Sequence, residues 1–345
     1  MERKALILLS IVFIVSLALT LIIVLSREKN QILITDSSIL INADGSITPE
    51  TASMIFDGEK YVLTADLSSS INVEKGDIII DGAGHTVKGN SEEHGVFLND
   101  VENVTITNLN VRDFTYGIHL YSVEKSILTN CTTTENDLDG IKLEYSNGNL
   151  IIKNSITHNG DDGLQLFNSD DNTVAGNYIF NNDIGVQVNG DYKKSASQNN
   201  IEGNNIEKHN KGIALYEGSW NTKIIYNNIK GCYDKPNSNG FYSSLFYGRG
   251  LDLWHSGGNV VHHNNFIQND HEVLISNEIG EDFFDDGAKG NYWSGYTGAD
   301  ADVDGIGDAP YERYNYYESK MIEFEYPLMS QVNIDAWILS HQKLG

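Results

Sequence analysis

A right-handed parallel β-helix, an all-β solenoid preceded by one N-terminal transmembrane helix, is the fold the sequence predicts. Three observations predict it: a glycine-led repeat, an asparagine series running in step with it, and a composition suited to short strands and tight turns. The repeat reads Gly95-Val-Phe-Leu, Gly117-Ile-His-Leu, Gly140-Ile-Lys-Leu, Gly163-Leu-Gln-Leu, Gly185-Val-Gln-Val, Gly212-Ile-Ala-Leu and Gly250-Leu-Asp-Leu, with spacings of 22, 23, 23, 22, 27 and 38. The asparagines are Asn108, Asn130, Asn154, Asn177, Asn204, Asn227 and Asn264. With 32 glycines, 4 prolines and an excess of asparagine over helix formers, strands and turns are favoured over helices.

A fixed period near 22 with only short strands fits one β-helical coil per repeat. The apolar-x-apolar units alternate as a half-buried strand does, and the leucine-rich consensus that shares this period is absent. A single coil cannot bury its inward side chains, so stacking at about 4.8 Å per coil makes the core. Val96 and Leu98, Ile118 and Leu120, and Ile141 and Leu143 should point inward. The asparagines are expected to form an internal ladder at one turn, bonding the backbone of adjacent coils.

The other elements follow in chain order. Ala5 to Leu25 is apolar apart from Ser10, Ser16 and Thr20, about the 20 residues a helix needs to cross a bilayer. The run ends in Ile22-Ile-Val-Leu-Ser-Arg27 without the small-residue exit of a cleaved signal peptide, so residues 1–27 read as an uncleaved anchor. Residues 28–50 read as a polar tether, 51–290 as the β-helix with its N-terminal cap, 291–328 as a calcium-loop cap, and 329–345 as a tail. Thr48 to Ser70 should close the first coil, and Asn333 to Leu339 could form a short helix. Arg3 and Lys4 are balanced by Arg27 and Lys29, so the acidic body, rather than the flanking charge, places residues 28–345 outside the cytoplasm. The two long spacings put insertions at turns, in Gly190 to Gln198 and in Gly231 to Arg249. The second, with Tyr242, Phe246, Tyr247 and Arg249, is long enough to wall a binding surface.

A formal charge of −25 argues against nucleic acid as a partner. Cys131 and Cys232 fall about four coils apart, about 19 Å by the stacking distance, too far for a disulfide. His158 and His209 occupy similar places two coils apart, and His262-His263 should alternate sides of a strand. The soft clusters of a copper carrier are therefore not expected. Of two glycosylation sequons, Asn103-Val-Thr and Asn130-Cys-Thr, the second falls on a ladder position and should be buried.

Three groups of residues could carry chemistry. Asp300, Asp302, Asp304, Ile306 through its carbonyl, and Asp308 alternate as calcium ligands do around a glycine turn, although Tyr311 stands where an EF-hand loop has its final acid. Outward positions form one column of Phe97, His119, Lys142, Gln165, Gln187 and Asp252, and another of Asn99, Tyr121, Glu144, Phe167, Asn189, Tyr216 and Trp254. Tyr121, Phe167, Tyr216, Trp254, Gln165 and Gln187 are the candidates for sugar stacking and hydroxyl bonding. Exposed aromatics could equally pack against a second copy of the chain. Acidic residues gather before the glycines, at Asp137, Asp139, Asp161, Asp162 and Asp183. Of these, Asp139, Asp161 and Asp162, with His119 or Arg249, are candidates for acid, base or cation ligand. Turn aspartates bonding local backbone are the competing reading.

The segment Ile78-Ile-Ile-Asp-Gly-Ala-Gly-His-Thr-Val-Lys-Gly89, the repeats and the block Gly290-Asn-Tyr-Trp-Ser resemble NosD-like β-helix proteins of the carbohydrate-binding and sugar-hydrolase type, abundant on archaeal surfaces. The resemblance covers about residues 60 to 328 and implies a right-handed β-helix. It does not choose among copper-enzyme accessories, polysaccharide enzymes and proteins of other roles. The first expectation is thus a membrane-anchored, calcium-stabilised β-helix whose extended face binds a glycan or cell-envelope partner. The alternatives are a polysaccharide lyase, hydrolase or epimerase using the acidic residues, and a NosD-like accessory factor in copper-enzyme maturation.

Overall fold

The computed structural model describes residues 38–90, 93–191, 193–234, 248–276, 280–315 and 320–341. The expected membrane span, residues 5–25, lies outside them, as do residues 28–37 of the tether and Tyr242, Phe246 and Tyr247. Among the described residues no helix is long and apolar enough to cross a membrane.

Three parallel sheets wrap one core, and among the described residues they hold 11, 10 and 9 strands. The first sheet stacks His94–Asn99, Tyr116–Tyr121, Ile141–Glu144, Asp162–Phe167, Ile184–Asn189, Lys211–Leu215, Arg249–Trp254 and His271–Ser276 in chain order. Its register sets like on like: Leu98 pairs with Leu120, Leu120 with Leu143 and Leu143 with Leu166, all running parallel. Val96, Leu98, Ile118, Leu120, Ile141 and Leu143 are fully buried, as expected. Glycine leads these strands because the coils touch there. A Cβ at Gly117 would stand 2.4 Å from the carbonyl oxygen of Gly140.

The ladder is real, but its first two rungs are misplaced in the sequence reading. Asn154 donates through Nδ2 to Asn177 Oδ1 at 3.1 Å, Asn177 to Asn204 at 3.0 Å, Asn204 to Asn227 at 3.0 Å, and Asn227 to Asn264 at 3.0 Å. Asn264 then reaches Asn291 of the Gly290-Asn-Tyr-Trp block at 3.0 Å, which gives that block its place in the fold. The equivalent rungs nearer the N-terminus are Leu109 and Cys131, whose N–H still donates to Asn154 Oδ1 at 2.9 Å. Asn108 and Asn130 lie one residue earlier, at a corner where Lys153, Gly176, Gly203, Tyr226 and His263 also adopt positive φ. A side chain at such a corner points out, so Asn130 is exposed like Asn103, and the burial expected to shield its sequon is absent.

Two further ladders escaped the sequence reading. Asn149, Asn172 and Asn199 form one, and Asn136, Asn159 and Asn182 form another that ends on His209 Nδ1, 3.2 Å from the Asn182 nitrogen. His209 is therefore a buried rung, whereas His158 is an exposed corner residue one register position away. Cys131 and Cys232 are buried, in different ladders.

Both ends are closed. At the N-terminus Ile39–Ile41 lies parallel to Ile71–Val73 and antiparallel to Ile47–Thr48, and Met54–Phe56 forms an antiparallel hairpin with Tyr61–Leu63. The cap thus begins at Ile39, inside the stretch read as tether. Antiparallel pairing gives the outermost edges a register that a further coil cannot continue. At the other end Trp293 stacks on Phe266 with centroids 4.5 Å apart and packs against Phe324 at 4.8 Å. The hairpin Tyr311–Asn315/Lys320–Phe324 is strapped to the last coil by Arg313, whose Nη2 lies 2.9 and 2.7 Å from the two carboxylate oxygens of Glu272. The short helix expected in the tail spans Ile334–His341, with Asn333 Oδ1 accepting the Ala336 N–H at 2.9 Å. Its Trp337 stacks on Tyr226 at 5.0 Å and fills the space beside Gly203, where a Cβ would lie 2.5 Å from Trp337 Cζ3.

Replacing Asn177 by Ala strips partners from the Asn154 N–H and the Ile151 carbonyl at once. A loss of about 2–4 kcal/mol is expected from two buried groups left unsatisfied. Asn130→Gly, at an exposed corner with φ of 54°, should change stability by less than about 0.5 kcal/mol. Urea unfolding of both variants checks the pair.

Candidate functional site on the first sheet

The outer face of the first sheet carries the columns expected from the sequence. Phe97, His119, Lys142, Gln165, Gln187, Ala214 and Asp252 are successive register partners. Tyr121 pairs with Asn99 and Glu144, and Glu144 with Phe167, which pairs with Asn189. A third column, overlooked in the sequence, is formed by the residue preceding each glycine. It runs His94, Tyr116, Asp139, Asp162, Ile184, Lys211, Arg249 and His271. The repeat pattern contains the signal, because each of these residues except His271, which Glu272 follows, sits directly before its glycine. Strand alternation breaks at that glycine, and the side chain before it turns toward the neighbour three residues on. His94 stacks on Phe97, Gln165 reaches Asp162, and Arg249 reaches Asp252.

Asp139 and Asp162 lie on adjacent coils, and both are buried. The Asp162 N–H donates to Asp139 Oδ1 at 3.1 Å, and Gln165 Nε2 donates to Asp162 Oδ2 at 3.0 Å. Asp162 Oδ1 is buried with no hydrogen-bond partner among the described residues. Burial pushes the Asp139 carboxyl up to about 7, with repulsion from Asp161 adding to it and the Lys142 charge opposing it. Burial, then Asp139 and Asp161, hold Asp162 well above the carboxylate range. Around neutral pH the pair therefore keeps a proton and can both donate and accept. Asp161 stands at the exposed rim, its carboxyl raised by partial burial and by Asp183, which in turn accepts from Asn210.

On the N-terminal side of the pair lies an aromatic group. His119 has ring centroids 4.8 Å from His94, 5.3 Å from Phe97, 5.6 Å from Tyr116 and 6.4 Å from Tyr121. Burial, then the His94 and Lys142 charges, lower the His119 imidazole to about 3, so the ring is neutral. It lies 3.4 Å from Glu144 Oε2 without hydrogen-bond geometry and forms no ion pair there. His119 is consequently a stacking and polar group rather than a proton carrier near pH 7. Lys142 Nζ sits 4.8 Å above the Tyr116 ring and 3.9 Å from Glu144.

Three coils beyond Asp162, Asp252 Oδ2 receives Arg249 Nη1 at 2.8 Å and Lys211 Nζ at 3.0 Å. Arg249 is buried in this arrangement, so it neither walls an open surface nor stands free as a cation for a substrate. Tyr216 is partly buried, bonded through its hydroxyl to Lys211, and its edge meets Trp254 at 6.3 Å. Burial, then Asp252 and Asp162, raise its phenol far above the usual value. Of the sugar-binding candidates, Tyr121 and Trp254 are the most open, Phe167, Gln165 and Gln187 are half-buried, and Gln165 is engaged with Asp162. The distance from the Tyr121 coil to the Trp254 coil is about 24 Å by strand spacing, enough for an extended chain molecule.

The acidic loop of the C-terminal cap brings carboxylate oxygens of Asp300, Asp302 and Asp304 within 4.8 Å of one another. Asp308 is not in that group. Its Oδ2 accepts the Ala301 N–H at 2.8 Å and closes the loop. The Asp300 oxygens accept the N–H groups of Asp304 and Gly305 at 3.1 Å each, and Ile306 bridges to Leu328. Three hard oxygen donors fit a calcium ion, while Asp308 as found would have to turn to join them.

Because the Asp139 and Asp162 carboxyls are raised on folding, their contribution to stability is complete below the unfolded pKa near 3.8 and is lost as pH rises through the folded values, about 7 for Asp139. The loss should be on the order of 2–4 kcal/mol between pH 4 and pH 9. Asp162→Asn is expected to flatten this dependence and to melt higher than the wild type at pH 9, which a pH series of thermal melts measures.

Comparison with known proteins bears on the fold. The family model described as "Right handed beta helix region" matches residues 94–271. No curated protein matches the chain. Among solved structures, the A-module of Azotobacter vinelandii mannuronan C-5 epimerase AlgE6 is similar at 16% identity and a TM-score of 0.40, over 64% of this chain and 78% of that one. Pectate lyase Pel9A is similar at 13% identity and a TM-score of 0.45, over 70% and 72%. The tailspike protein of E. coli bacteriophage HK620, solved with a pentasaccharide, is similar at 11% identity and a TM-score of 0.38, over 63% of this chain and 52% of that one. Likeness this distant carries no argument for this chain. With the parallel register, the stacked coils and a family match across more than half its length, the chain belongs to the right-handed β-helix family.

Proposed function

We propose that the outer face of the first sheet binds an extended glycan of the cell envelope. The observation that supports this reading most is the pair of open rings, Tyr121 and Trp254, about five coils apart on one face, with Phe167 and Gln187 half-buried between them. Aromatic rings stack on the apolar side of a sugar, and amide side chains bond its hydroxyls. The Asp139–Asp162 pair, with Asp161 at the exposed rim beside it, supports a second reading, acid–base chemistry on a polysaccharide as in a lyase, hydrolase or epimerase, since a carboxyl raised to about 7 can exchange protons at neutral pH. Association with envelope polysaccharides should weaken roughly tenfold in Tyr121→Ala/Trp254→Ala, given about 0.5–1.5 kcal/mol per aromatic contact. An array on which the wild type captures no glycan would remove the first reading. Saccharide release that drops by about 100-fold in Asp162→Asn would establish the second.

The membrane anchor at residues 5–25, the extracytoplasmic placement of the rest, the narrower kinship with NosD-like proteins and a structural calcium ion are part of the same proposal. Calcium would be held by Asp300, Asp302 and Asp304 with the Ile306 carbonyl, and by Asp308 if it turns from Ala301. A chelator should then lower the melting temperature by a few degrees, about 2–4 °C per kcal/mol of lost binding, and Asp302→Asn should abolish the response. Deleting residues 1–27 should release the protein from the membrane fraction. An unchanged melt in chelator, or retention of the truncated chain on membranes, contradicts the respective part.

A further inference from the structure

We propose that His262, His263 and Asp286 form a binding site for a divalent transition-metal ion that favours right-angled nitrogen and oxygen ligands, Cu²⁺ or Ni²⁺. Two adjacent histidines on a strand would face opposite ways, as the sequence reading assumed. Here the strand Val260–His262 ends at the first of them, and His263 occupies the coil corner with φ of 59°. That turn brings both rings to one side, with His262 Nδ1 and His263 Nδ1 2.7 Å apart and the rings inclined at 76°. A carboxylate oxygen of Asp286, on the following coil, lies within 4.8 Å of a ring nitrogen of each histidine.

All three groups are held in place by the surrounding fold. The His263 N–H donates to the Gly290 carbonyl at 2.7 Å, and its ring packs on Tyr226 at 4.9 Å, which Trp337 of the C-terminal helix covers in turn. Asp286 Oδ1 accepts the N–H groups of Ala288 and Lys289 at 3.0 and 2.7 Å, which fixes the carboxylate, and Oδ2 takes no part in those two bonds. A hydrogen bond between two neutral rings would use one proton and leave the carboxylate beside them unexplained. An ion about 2.0–2.1 Å from each nitrogen would see them roughly 80° apart, close to the right angle of a square or octahedral site and well short of tetrahedral. Imidazole nitrogens with a carboxylate and that angle suit Cu²⁺ or Ni²⁺ over Zn²⁺ and over the hard cations expected at Asp300 to Asp304. The partly exposed rings leave the remaining positions to water.

The test is titration of the full-length protein with Cu²⁺ and with Ni²⁺ by calorimetry, with electron paramagnetic resonance of the copper form. One equivalent should bind, and the spectrum should show two coordinating nitrogens. His262→Ala and His263→Gly, the latter suited to the left-handed corner, should each weaken binding at least roughly 100-fold, and Asp286→Asn about tenfold. His158→Ala, at a distant exposed corner, should bind as the wild type does. Non-stoichiometric binding by the wild type overturns the proposal, and so does stoichiometric binding that survives in folded His262→Ala and His263→Gly. The wild-type spectrum decides the ligand count whether or not a variant folds, and neither result touches the glycan face.

Discussion

Everything in this structure depends on coils that repeat in register, so that each buried amide meets its equivalent one layer away. The Asn154–Asn177–Asn204–Asn227–Asn264–Asn291 series shows how strict that register is. Each side chain before Asn291 donates to the next rung and to a carbonyl of the coil before, as Asn177 does to Ile151 at 2.8 Å, and accepts the N–H of its predecessor. A slip of one residue would expose Leu120 and bury Tyr121, and would break each rung in turn. Apolar stacking supplies the driving force, and the amides decide the one arrangement in which it is collected.

Strict register has a chemical consequence on the outside of the solenoid. Residues 22 or 23 positions apart become neighbours at the spacing of paired strands, so like residues in successive repeats are forced together. Asp139 and Asp162 meet this way, whereas His94, whose register partner is Tyr116, reaches His119 diagonally, 25 positions on. Burial raises the two carboxyls and lowers the two imidazoles, and a proton is retained by the first pair and given up by the second. Farther along the same face opposite charges meet instead, and Asp252 is closed off by Lys211 and Arg249. A uniform scaffold thus presents an aromatic zone, a protonated acidic zone and a neutralised ion-pair zone in sequence along one sheet. The coil corners act differently, because positive φ turns consecutive side chains to one side. That local break in alternation is what places His262 beside His263.

Glycine spacing and alternating apolar residues were enough to read the solenoid, the inward residues and the two outward columns from sequence, because period and burial are local properties that every repeat shows again. Register within a corner was not legible. Asn108 and Asn130 look like rungs in the sequence, yet Leu109 and Cys131 hold those places, since a backbone N–H can be satisfied by the next coil's asparagine without an amide of its own. Likewise Asp139 and Asp162 resemble turn aspartates until the break at the following glycine carries them under the face. Arg249 looks like an available cation, and only its neighbour Asp252, three residues on, removes it.

The sequence by itself determined the all-β solenoid, the length of a coil and the identity of its core, because these depend on spacing and polarity along the chain. Tertiary structure decided which carboxyls share a proton, which cations are already satisfied and which histidines converge. Those outcomes turn on burial and on separations between coils, and neither exists until the coils are stacked.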